Sequence, residues 1–595
     1  MSKLSLSEVP EEKLSFKCNL CDSQFSEEHD LNSHSIAVHD EKECFSCDNC
    51  GKNFISEKDL KNHTTSVHIS TASKKFEFQF VSADDVTRIV RNLNNTKAIG
   101  KDGISTEVLK KGINVLANPI ARIFNLSLST GIFPDIFKEA IVHLVFKGSG
   151  KNPREPVSYR PISILPSLSK ILQKVVCDAL LDFLIEQDFL PESQYGFLPG
   201  RSAAMGLINA QTDWLHAKSK GDFVAILAFD LSAAFDTVDS TNLIKKLQSA
   251  GVQGKPLNWF KSYMSGRSQS VLWNNSLSES LTLTHGVPQG SILGPLLFLV
   301  MIANLPSSVI SDMKNASIMS YADDCNIYVH AKSLNILRSD IEILSKRMIS
   351  YCQKTGLVLN NDKTQLLVST KKHFEVHIGS CLIKAKPEIS ILGVDYDTNF
   401  TTNPYLQKLA REAKTRTALI KRLSFGMPPH LLSTFANGLL MGKILAAAPA
   451  TIPIRIDSDD KNLITITEEI NKAIKFAARI ITRTKLSDKV RSEIILWKAG
   501  LRSLNEATAC TMATLVWKSR KEMNPLGRRL FSERDNRRKT RLAESMNIDQ
   551  PVPGFNTLPS NLLARIWNIV PGLQTATTLG AAKTLGRNWA KTIPR

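Results

Sequence analysis

The sequence predicts a mixed α/β body that carries a small metal-binding head and a helical, basic C-terminal region. Strand-like and helix-like segments alternate between about residues 120 and 370, as in an α/β core. Two short units rich in cysteine and histidine repeat within residues 16–70. Beyond residue 400, apolar residues recur at helical spacing while Lys and Arg occupy the other faces.

The N-terminal head consists of two units with the same spacing of cysteine and histidine. In each unit two residues separate the cysteines, twelve separate the second cysteine from the first histidine, and four separate the histidines. Paired thiolates and paired imidazoles at this spacing make a closed tetrahedral zinc site. A unit of under about 30 residues needs such a staple to fold. A redox cysteine pair is the alternative, but it leaves the histidines unexplained.

The repeated pattern closely resembles tandem two-Cys, two-His zinc fingers of the ββα type. The expected structural zinc ligands are Cys18, Cys21, His34 and His39 in the first unit and Cys47, Cys50, His63 and His68 in the second. In DNA-reading fingers three helix positions per unit contact bases, and here these positions are acidic or small and polar. Residues 1–70 hold 7 Lys/Arg and 13 Asp/Glu, so attraction to phosphates is weak. DNA, RNA and a protein partner all remain open as ligands.

The rest of the chain is strongly basic. The whole chain has a net charge of +19 and residues 1–70 carry −6, so residues 71–595 carry +25. This charge indicates a polyanionic partner, either nucleic acid or an acidic membrane surface. The longest apolar stretch, around Ile292 to Leu305, is too short to span a bilayer, so no membrane role is expected. The basic run from Lys518 to Arg541 indicates nucleic-acid contact or a solvated tail.

Three acidic residues indicate the chemistry of the body. The apolar run Phe223–Asp230 has strand length and ends in a carboxylate, while Tyr321-Ala-Asp-Asp324 suits the turn between two short strands. Adjacent strands would bring Asp230 and Asp323 together, and clustered carboxylates repel one another unless they hold divalent cations. Two such ions can clamp the attacking and leaving oxygens of a phosphoryl transfer. Taken alone, the Asp pair also fits a polar turn.

An ordered set of motifs surrounds these acids. It includes Tyr159-Arg-Pro-Ile-Ser163, Gln194-Tyr-Gly-Phe-Leu-Pro-Gly-Arg-Ser202, Phe229-Asp-Leu-Ser-Ala-Ala-Phe-Asp236, Gly286-Val-Pro-Gln-Gly-Ser291 and Leu359-Asn-Asn-Asp-Lys-Thr364. Together and in this order, the motifs closely resemble the reverse transcriptases of non-LTR (LINE-type) retrotransposons, with the jockey-like branches nearest. The resemblance covers about residues 85–420 and extends more loosely to about residue 510.

The resemblance implies a right-hand polymerase with palm, fingers and thumb that copies an RNA template into DNA. A DNA primer 3′-hydroxyl would attack the α-phosphate of a dNTP, with two Mg²⁺ ions bound. An intracellular protein is expected, nuclear with a cytoplasmic ribonucleoprotein stage. The expected domains are an N-terminal tail (1–15), zinc fingers (16–40 and 41–70), a linker (71–84), fingers (85–220), palm (221–400), thumb (401–510) and a basic C-terminal extension (511–595).

The resemblance also implies roles for single residues at the catalytic centre. Asp230 and Asp323 would be the magnesium ligands, and Asp324 would orient the primer end. Tyr321 would contact the primer terminus. Phe235 matches a steric gate whose ring blocks a ribose 2′-hydroxyl, with an ordinary core phenylalanine as the alternative.

Further residues match positions that bind the nucleotide and template. Gln289 and Gly290 would open a helix and let the backbone approach the template and the incoming base, although the pair also fits a plain helix start. Lys147 and Arg160 would grip the triphosphate, and Lys363 would protonate the pyrophosphate leaving group. Each of these three basic residues also fits an ordinary solvated charge.

The chain departs from the family pattern in places. Ile99-Gly-Lys-Asp-Gly103 stands where most relatives have Pro-Gly-x-Asp-Gly, and Leu198 stands where many have Arg. Gly393, in contrast, matches the primer-grip turn of the family. No endonuclease is recognisable, so a partial copy, or a nick made by another protein, is expected. The alternatives to a retrotransposon polymerase are a zinc-finger adaptor on a non-catalytic polymerase scaffold, and a telomerase-like or intron-encoded polymerase.

Overall fold

The computed structural model describes residues 74–522 with gaps at 96–97, 149, 311 and 453–460, residues 573, 576 and 578–592, and four short strands nearer the N terminus. Those strands form two antiparallel hairpins, β1 (Phe16–Lys17) with β2 (Gln24–Phe25) and β3 (Phe45–Ser46) with β4 (Asn53–Phe54). The repeated phenylalanines lie opposite each other in both hairpins. All eight expected zinc ligands, and residues 523–572, lie outside the described residues.

Two helices, α1 (Ala83–Asn92) and α2 (Thr106–Thr130), open the body. α1 begins at a capping box, in which the Ser82 hydroxyl accepts from the Asp85 N–H at 3.1 Å and the Asp85 carboxylate accepts from the Ser82 N–H at 3.1 Å. α2 ends at Gly131, whose φ of +71° suits the left-handed residue that closes many helices. Residues close in sequence therefore set the start of α1 and the end of α2.

The first sheet contains five strands in the order β10–β8–β5–β6, with β9 paired to β8. Only the β5–β8 pair is parallel among these. The elements in chain order are β5 (Glu139–Phe146), β6 (Tyr159–Ile164), α3 (Ser167–Glu186), α4 (Ala203–Ser219), β7 (Phe223–Ser232), α5 (Ser240–Ser249), α6 (Gly254–Met264), β8 (Arg267–Trp273), β9 (Ser276–Leu277) and β10 (Leu281–Leu283).

The loop 99–103 and Leu198, the two places compared with the family pattern, both pack against the body of the protein. Asp102 accepts a hydrogen bond from the Ser167 N–H at 3.1 Å, at the start of α3. A Cβ added to Gly100 would lie 2.8 Å from the Pro166 nitrogen, so the loop 99–103 packs tightly against that helix start. Leu198 is buried in the hydrophobic core, where a leucine fits better than a charged arginine.

The second sheet is antiparallel and centred on β7. Its order is β11–β12–β7–β13, and β14 also pairs with β7. Side chains of β7 alternate between two hydrophobic cores, since Ala225, Leu227 and Phe229 join the first core while Val224 and Ile226 join the second. The elements that complete this region are α7 (Gly294–Met301), α8 (Leu305–Ile310), β11 (Ala316–Tyr321), β12 (Asp324–Ala331), α9 (Leu334–Thr355), β13 (Val358–Leu359) and β14 (Gln365–Val368).

Two hairpins and a group of helices follow the second sheet. The helical pattern predicted beyond residue 400 is confirmed, because Leu406, Leu409, Ala413, Thr417 and Ile420 form the buried face of the first long helix. The mixed α/β class is confirmed as well, whereas the domain limits stay predictions. The elements are β15 (Glu375–Ile378), β16 (Cys381–Lys384), β17 (Glu388–Ile391), β18 (Val394–Asp397), α10 (Asn403–Leu423), α11 (Pro429–Ala436), a π-helical turn (Asn437–Met441), α12 (Gly442–Leu445), α13 (Ala448–Thr451), α14 (Lys461–Thr482), α15 (Ser492–Lys498), α16 (Leu504–Glu522) and α17 (Leu579–Thr592).

One helical stretch in the described part of the chain, Pro429–Thr451, is long and apolar enough to cross a membrane by length and composition. The region around Ile292 to Leu305, which was expected to be the longest apolar stretch, is shorter than this one. Leu432, Leu440 and Ile444 of the stretch are buried in the second core.

Candidate active site

Strand pairing in the second sheet brings three carboxylates together. In the register of β7 and β12, Asp230 lies directly opposite Asp324. Asp323 lies in the two-residue turn that joins β11 to β12, and Asp324 is the first residue of β12. β7 extends two residues beyond the strand end that the sequence predicts, because Leu231 and Ser232 pair with β13. Asp230 is therefore held between ordered strands on both sides.

The electrostatics of this cluster favour a bound cation. Burial, and next the charges of Asp323 and Asp230, raise the pKa of Asp324 to about 6, although its side chain keeps contact with solvent. Burial also raises the pKa of Asp323, and the Asp230 charge adds to this effect. Lys363 supplies one positive charge, with its Nζ 3.2 Å from Oδ2 of Asp230. Three neighbouring acids and one ammonium leave excess negative charge, which a divalent cation would neutralise.

The donor set fits magnesium in one particular way. Within the described ranges, no group of three or more His, Cys, Asp or Glu side chains is arranged to hold a metal ion. Mg²⁺ is commonly bound through one or two carboxylates, with substrate phosphates and water completing its shell. Asp230 and Asp323 fit that pattern, since their two carboxylates offer the hard oxygen ligands that Mg²⁺ prefers.

Two more of the predicted residues stand beside the acids. Tyr321 is the last residue of β11 and pairs with Asp324 across the turn. Lys363 follows β13 in a turn tied to β7, because the Asn360 N–H donates to the Asp230 carbonyl at 2.9 Å and the Asn360 side chain accepts from the Lys363 N–H. The Lys363 ammonium is thereby directed to Asp230, while its side chain stays mostly exposed to solvent.

Phe235 combines features of both interpretations given to it. Its side chain is half-buried, and its ring lies 5.0 Å from that of the buried Phe298 and 6.3 Å from that of the exposed Phe197. Its carbonyl accepts from the Val287 N–H at 2.8 Å, which joins this segment to the loop before α7. Part of the Phe235 side chain therefore packs on the core while the remainder stays accessible.

The prediction that Gln289 and Gly290 open a helix is wrong. The helix α7 begins at Gly294, because Gly290 has a φ of +115°, which lies outside the helical region. The backbone at Gly290 was expected to approach the template and the incoming base closely. In the structure it closely approaches the protein backbone at Ser163. The Ser163 N–H donates to the Gln289 carbonyl at 2.7 Å, and a Cβ added to Gly290 would lie 2.7 Å from the Ser163 oxygen. This contact joins β6 to the loop before α7.

The remaining predicted residues lie on other hairpins. Lys147 follows β5 and donates from Nζ to the Val157 carbonyl at 2.7 Å, while Arg160 is exposed on β6. Both therefore belong to the first sheet and not to the sheet that carries the acids. Gly393 forms a tight turn between β17 and β18 with Leu392, and both residues have positive φ, +78° and +49°.

Gln194 belongs to one of the sequence motifs, and the sequence alone predicts no role for it. Its side chain is 2% exposed, and Oε1 accepts hydrogen bonds from the N–H groups of Gly196 at 2.8 Å and of Ala322 at 2.9 Å. Ala322 belongs to the turn that carries Asp323. The Gln-x-Gly spacing could have suggested a tight local turn, but nothing in it indicates a partner 128 residues away.

Two segments of the chain match known protein families. Residues 148–396 match the family described as "Reverse transcriptase (RNA-dependent DNA polymerase)", and residues 45–68 match "Zinc finger, C2H2 type". The first range contains all three acids, and the second contains the four expected ligands of the second finger.

Several curated relatives are proteins of insect transposons. The chain is 28% identical over 354 residues to "Probable RNA-directed DNA polymerase from transposon BS" of Drosophila melanogaster. This alignment covers 58% of this chain and 38% of that protein. It is 26% identical over 361 residues to "RNA-directed DNA polymerase from mobile element jockey" of the same organism, covering 59% and 38%. The matched part spans less than two-fifths of the length of these relatives. A solved telomerase from Candida albicans aligns with a TM-score of 0.37 and 13% identity over 75% of this chain and 83% of that one, a likeness too weak to bear on function.

Proposed function

Residues 148–396 form a reverse transcriptase domain similar to those of jockey-like retrotransposons, and from this premise we propose that the chain is an RNA-directed DNA polymerase. It would extend a DNA primer 3′-hydroxyl on an RNA template. The observation that carries the proposal is the register of β7 and β12, which places Asp230 opposite Asp324 and next to the turn that carries Asp323. That arrangement joins acids that lie far apart in the sequence.

The carboxylates would hold the metal ions of the reaction. Asp230 and Asp323 would bind two Mg²⁺ ions, whose chemistry is to promote loss of the primer hydroxyl proton and to neutralise charge at the α-phosphate. Phosphoryl transfer depends almost entirely on positioning and charge stabilisation. The strand pairing on both sides of Asp230 would supply the positioning, and the cations held by the acid cluster would supply the charge stabilisation.

Neighbouring side chains would orient the primer and serve the leaving group. Tyr321 and Asp324 flank the turn, where they would contact and align the primer end. Nζ of Lys363 lies 3.2 Å from Oδ2 of Asp230. With a cation bound to Asp230, the Lys363 side chain would be free to turn toward the pyrophosphate and donate a proton to it.

Other residues would select and hold the nucleotide and the template. Phe235 would exclude a ribose 2′-hydroxyl with the accessible part of its ring. Lys147 and Arg160 on the β5–β6 hairpin would bind the triphosphate. Gln289 and Gly290, fixed on Ser163, would place the loop before α7 against the template and the incoming base.

The partners and the cellular site follow from the same premise. The charge of +25 on residues 71–595 supports binding of the RNA template and the DNA primer. Two structural zinc ions would fold the acidic fingers, which would contact nucleic acid or a protein partner. Copying an element's RNA into a chromosome would require a nuclear stage after a cytoplasmic ribonucleoprotein stage.

Primer extension tests the proposal directly. Purified protein is incubated with a labelled DNA primer on an RNA template, dNTPs and Mg²⁺, and we expect template-length products that are lost when EDTA is added. The same reaction with ribonucleotides is the control for sugar selection. Binding of the RNA–DNA hybrid without any extension would contradict the proposal and favour a non-catalytic scaffold.

A further inference from the structure

The segment that contains Gln194 runs alongside the catalytic hairpin. The Tyr195 N–H donates to the Ser320 carbonyl at 2.8 Å, and the Ser320 N–H donates to the Ser193 carbonyl at 2.9 Å. These two bonds make a parallel bridge between Gln194 and Ser320, so the segment acts as an extra edge beside β11. The Gln194 side chain is consequently brought next to the turn that follows β11.

The Gln194 carboxamide joins two backbone groups. Oε1 accepts from the N–H of Gly196 at 2.8 Å and from the N–H of Ala322 at 2.9 Å. Because both partners are N–H donors, only the oxygen of the carboxamide can face them. Ala322 has a φ of +55°, a conformation that residues with a Cβ rarely adopt and that needs support from its surroundings. Gln194 provides that support from outside the hairpin.

The backbone around Gln194 is itself held closely. A Cβ added to Gly196 would lie 2.6 Å from the Ala322 nitrogen, so only glycine permits this approach. Nη1 of Arg201 donates to the carbonyls of Pro191 and Gln194, which fixes the loop that presents the glutamine. The catalytic turn thus rests on a rigid neighbour and not on its own two-residue connection alone.

We infer that Gln194 is a positioning residue, which acts through the Ala322 amide to hold Asp323 in register with Asp230. The inference rests on the proposed polymerase function. It assigns no contact with substrate to Gln194, since the side chain is buried. Loss of its acceptor oxygen would release the Ala322 backbone and displace Asp323, and a displacement of about 1 Å can cost about 100-fold in rate.

Three variants test the inference. Gln194→Met keeps length and volume but removes the acceptor, whereas Gln194→Glu keeps an oxygen at the same position. Gln211→Met is the matched control, because Gln211 is 3% exposed and donates to the Tyr396 hydroxyl and the Ala450 carbonyl in the second core, away from the turn. Primer-extension kcat, dNTP KM and hybrid affinity would be measured for each variant.

We expect Gln194→Met to lower kcat by about 10- to 100-fold while KM and hybrid affinity change by less than about threefold. Gln194→Glu should recover most of the loss, and Gln211→Met should keep wild-type kcat even if it melts earlier. Wild-type kcat in Gln194→Met, or an equal loss in Gln211→Met, would overturn the inference.

Amide hydrogen exchange at Ala322 provides a readout that needs no activity. In Gln194→Met this amide should exchange at least about tenfold faster while amides in the middle of β7 keep their protection. Unchanged exchange at Ala322, or loss of protection throughout β7, would reject a positioning role. Failure of the wild-type protein to extend any primer would instead overturn the proposed function, so the two failures can be told apart.

Discussion

The Asp324 carboxyl carries the clearest electrostatic effect among the active-site residues. Its raised pKa, about 6, means that the folded protein binds the proton more tightly than the unfolded chain, where the pKa is near 3.8. In metal-free buffer the free energy of unfolding should therefore fall as pH rises from about 4 to about 6, and the penalty should persist above that range. The neighbouring acids oppose ionisation most strongly when no cation is present.

Asp324→Asn should abolish this pH dependence. Without metal and above pH ~6, the free energy of unfolding of the variant should exceed that of the wild type by on the order of 1 kcal/mol. The difference is small because the Asp324 side chain contacts solvent. Below pH ~4 the two proteins should be equal. Urea unfolding in EDTA at about pH 4 and pH 7.5 provides the measurement, and an equal difference at both values would contradict the assignment.

Phe235→Ala separates the two interpretations of that residue. If its accessible edge is the sugar gate, the variant should incorporate ribonucleotides at least about tenfold more readily relative to dNTPs, with dNTP use largely intact. A half-buried ring should cost less than the roughly 3–5 kcal/mol of a fully buried phenylalanine. Competition assays with paired nucleotides measure the ratio. An unchanged ratio together with a lower melting temperature would show an ordinary core residue.

At the scale of elements, the sequence predicts strands better than the contacts between them. The apolar run Phe223–Asp230 is enough to predict β7, because its composition suits a strand buried on both faces. The wrong helix start at Gln289 arose because a positive φ at Gly290 cannot be read from the residue type alone. The Gln194–Ala322 bond was beyond prediction for a similar reason, since it depends on which segments become neighbours.

Gly290→Ala tests the contact between β6 and the loop before α7. The new Cβ would lie 2.7 Å from the Ser163 oxygen, so the variant should lose about 2–3 kcal/mol in its free energy of unfolding. Gly221→Ala is the matched control, because Gly221 also has a positive φ, +78°, but has open space around it, so only about 1 kcal/mol should be lost. Equal losses in the two variants would show that this contact does not matter for stability.

At the scale of the whole molecule, the acidic head and the basic body are expected to work independently. The reverse transcriptase match and the three clustered carboxylates, Asp230, Asp323 and Asp324, lie downstream of residue 75, while the expected zinc ligands lie before it. The fingers were predictable because their metal spacing is local in sequence, and the second finger has its own family match. Prediction of the function of the body depended on the ordered set of motifs, since no single motif identifies a polymerase.

Removal of zinc should therefore unfold the head and spare the body. A chelator that binds zinc but not magnesium should remove two zinc ions per chain and melt the β1–β2 and β3–β4 hairpins, because such units depend on the metal to fold. Extension on a preformed primer–template should stay within about twofold, as it should after deletion of residues 1–75. Fewer than two tightly bound zinc ions, or complete loss of extension after the deletion, would refute this independence.

The central claim is that Asp230 and Asp323 act together as the metal ligands of a polymerase, and primer extension by their Asn variants tests it most directly. Each substitution keeps the size of the side chain and removes one metal-binding charge, so folding and hybrid binding should persist. Extension by either single variant should fall by at least about 1000-fold, and the double variant should be little worse, because the two acids form one unit. Substantial extension by either single variant would contradict the assignment.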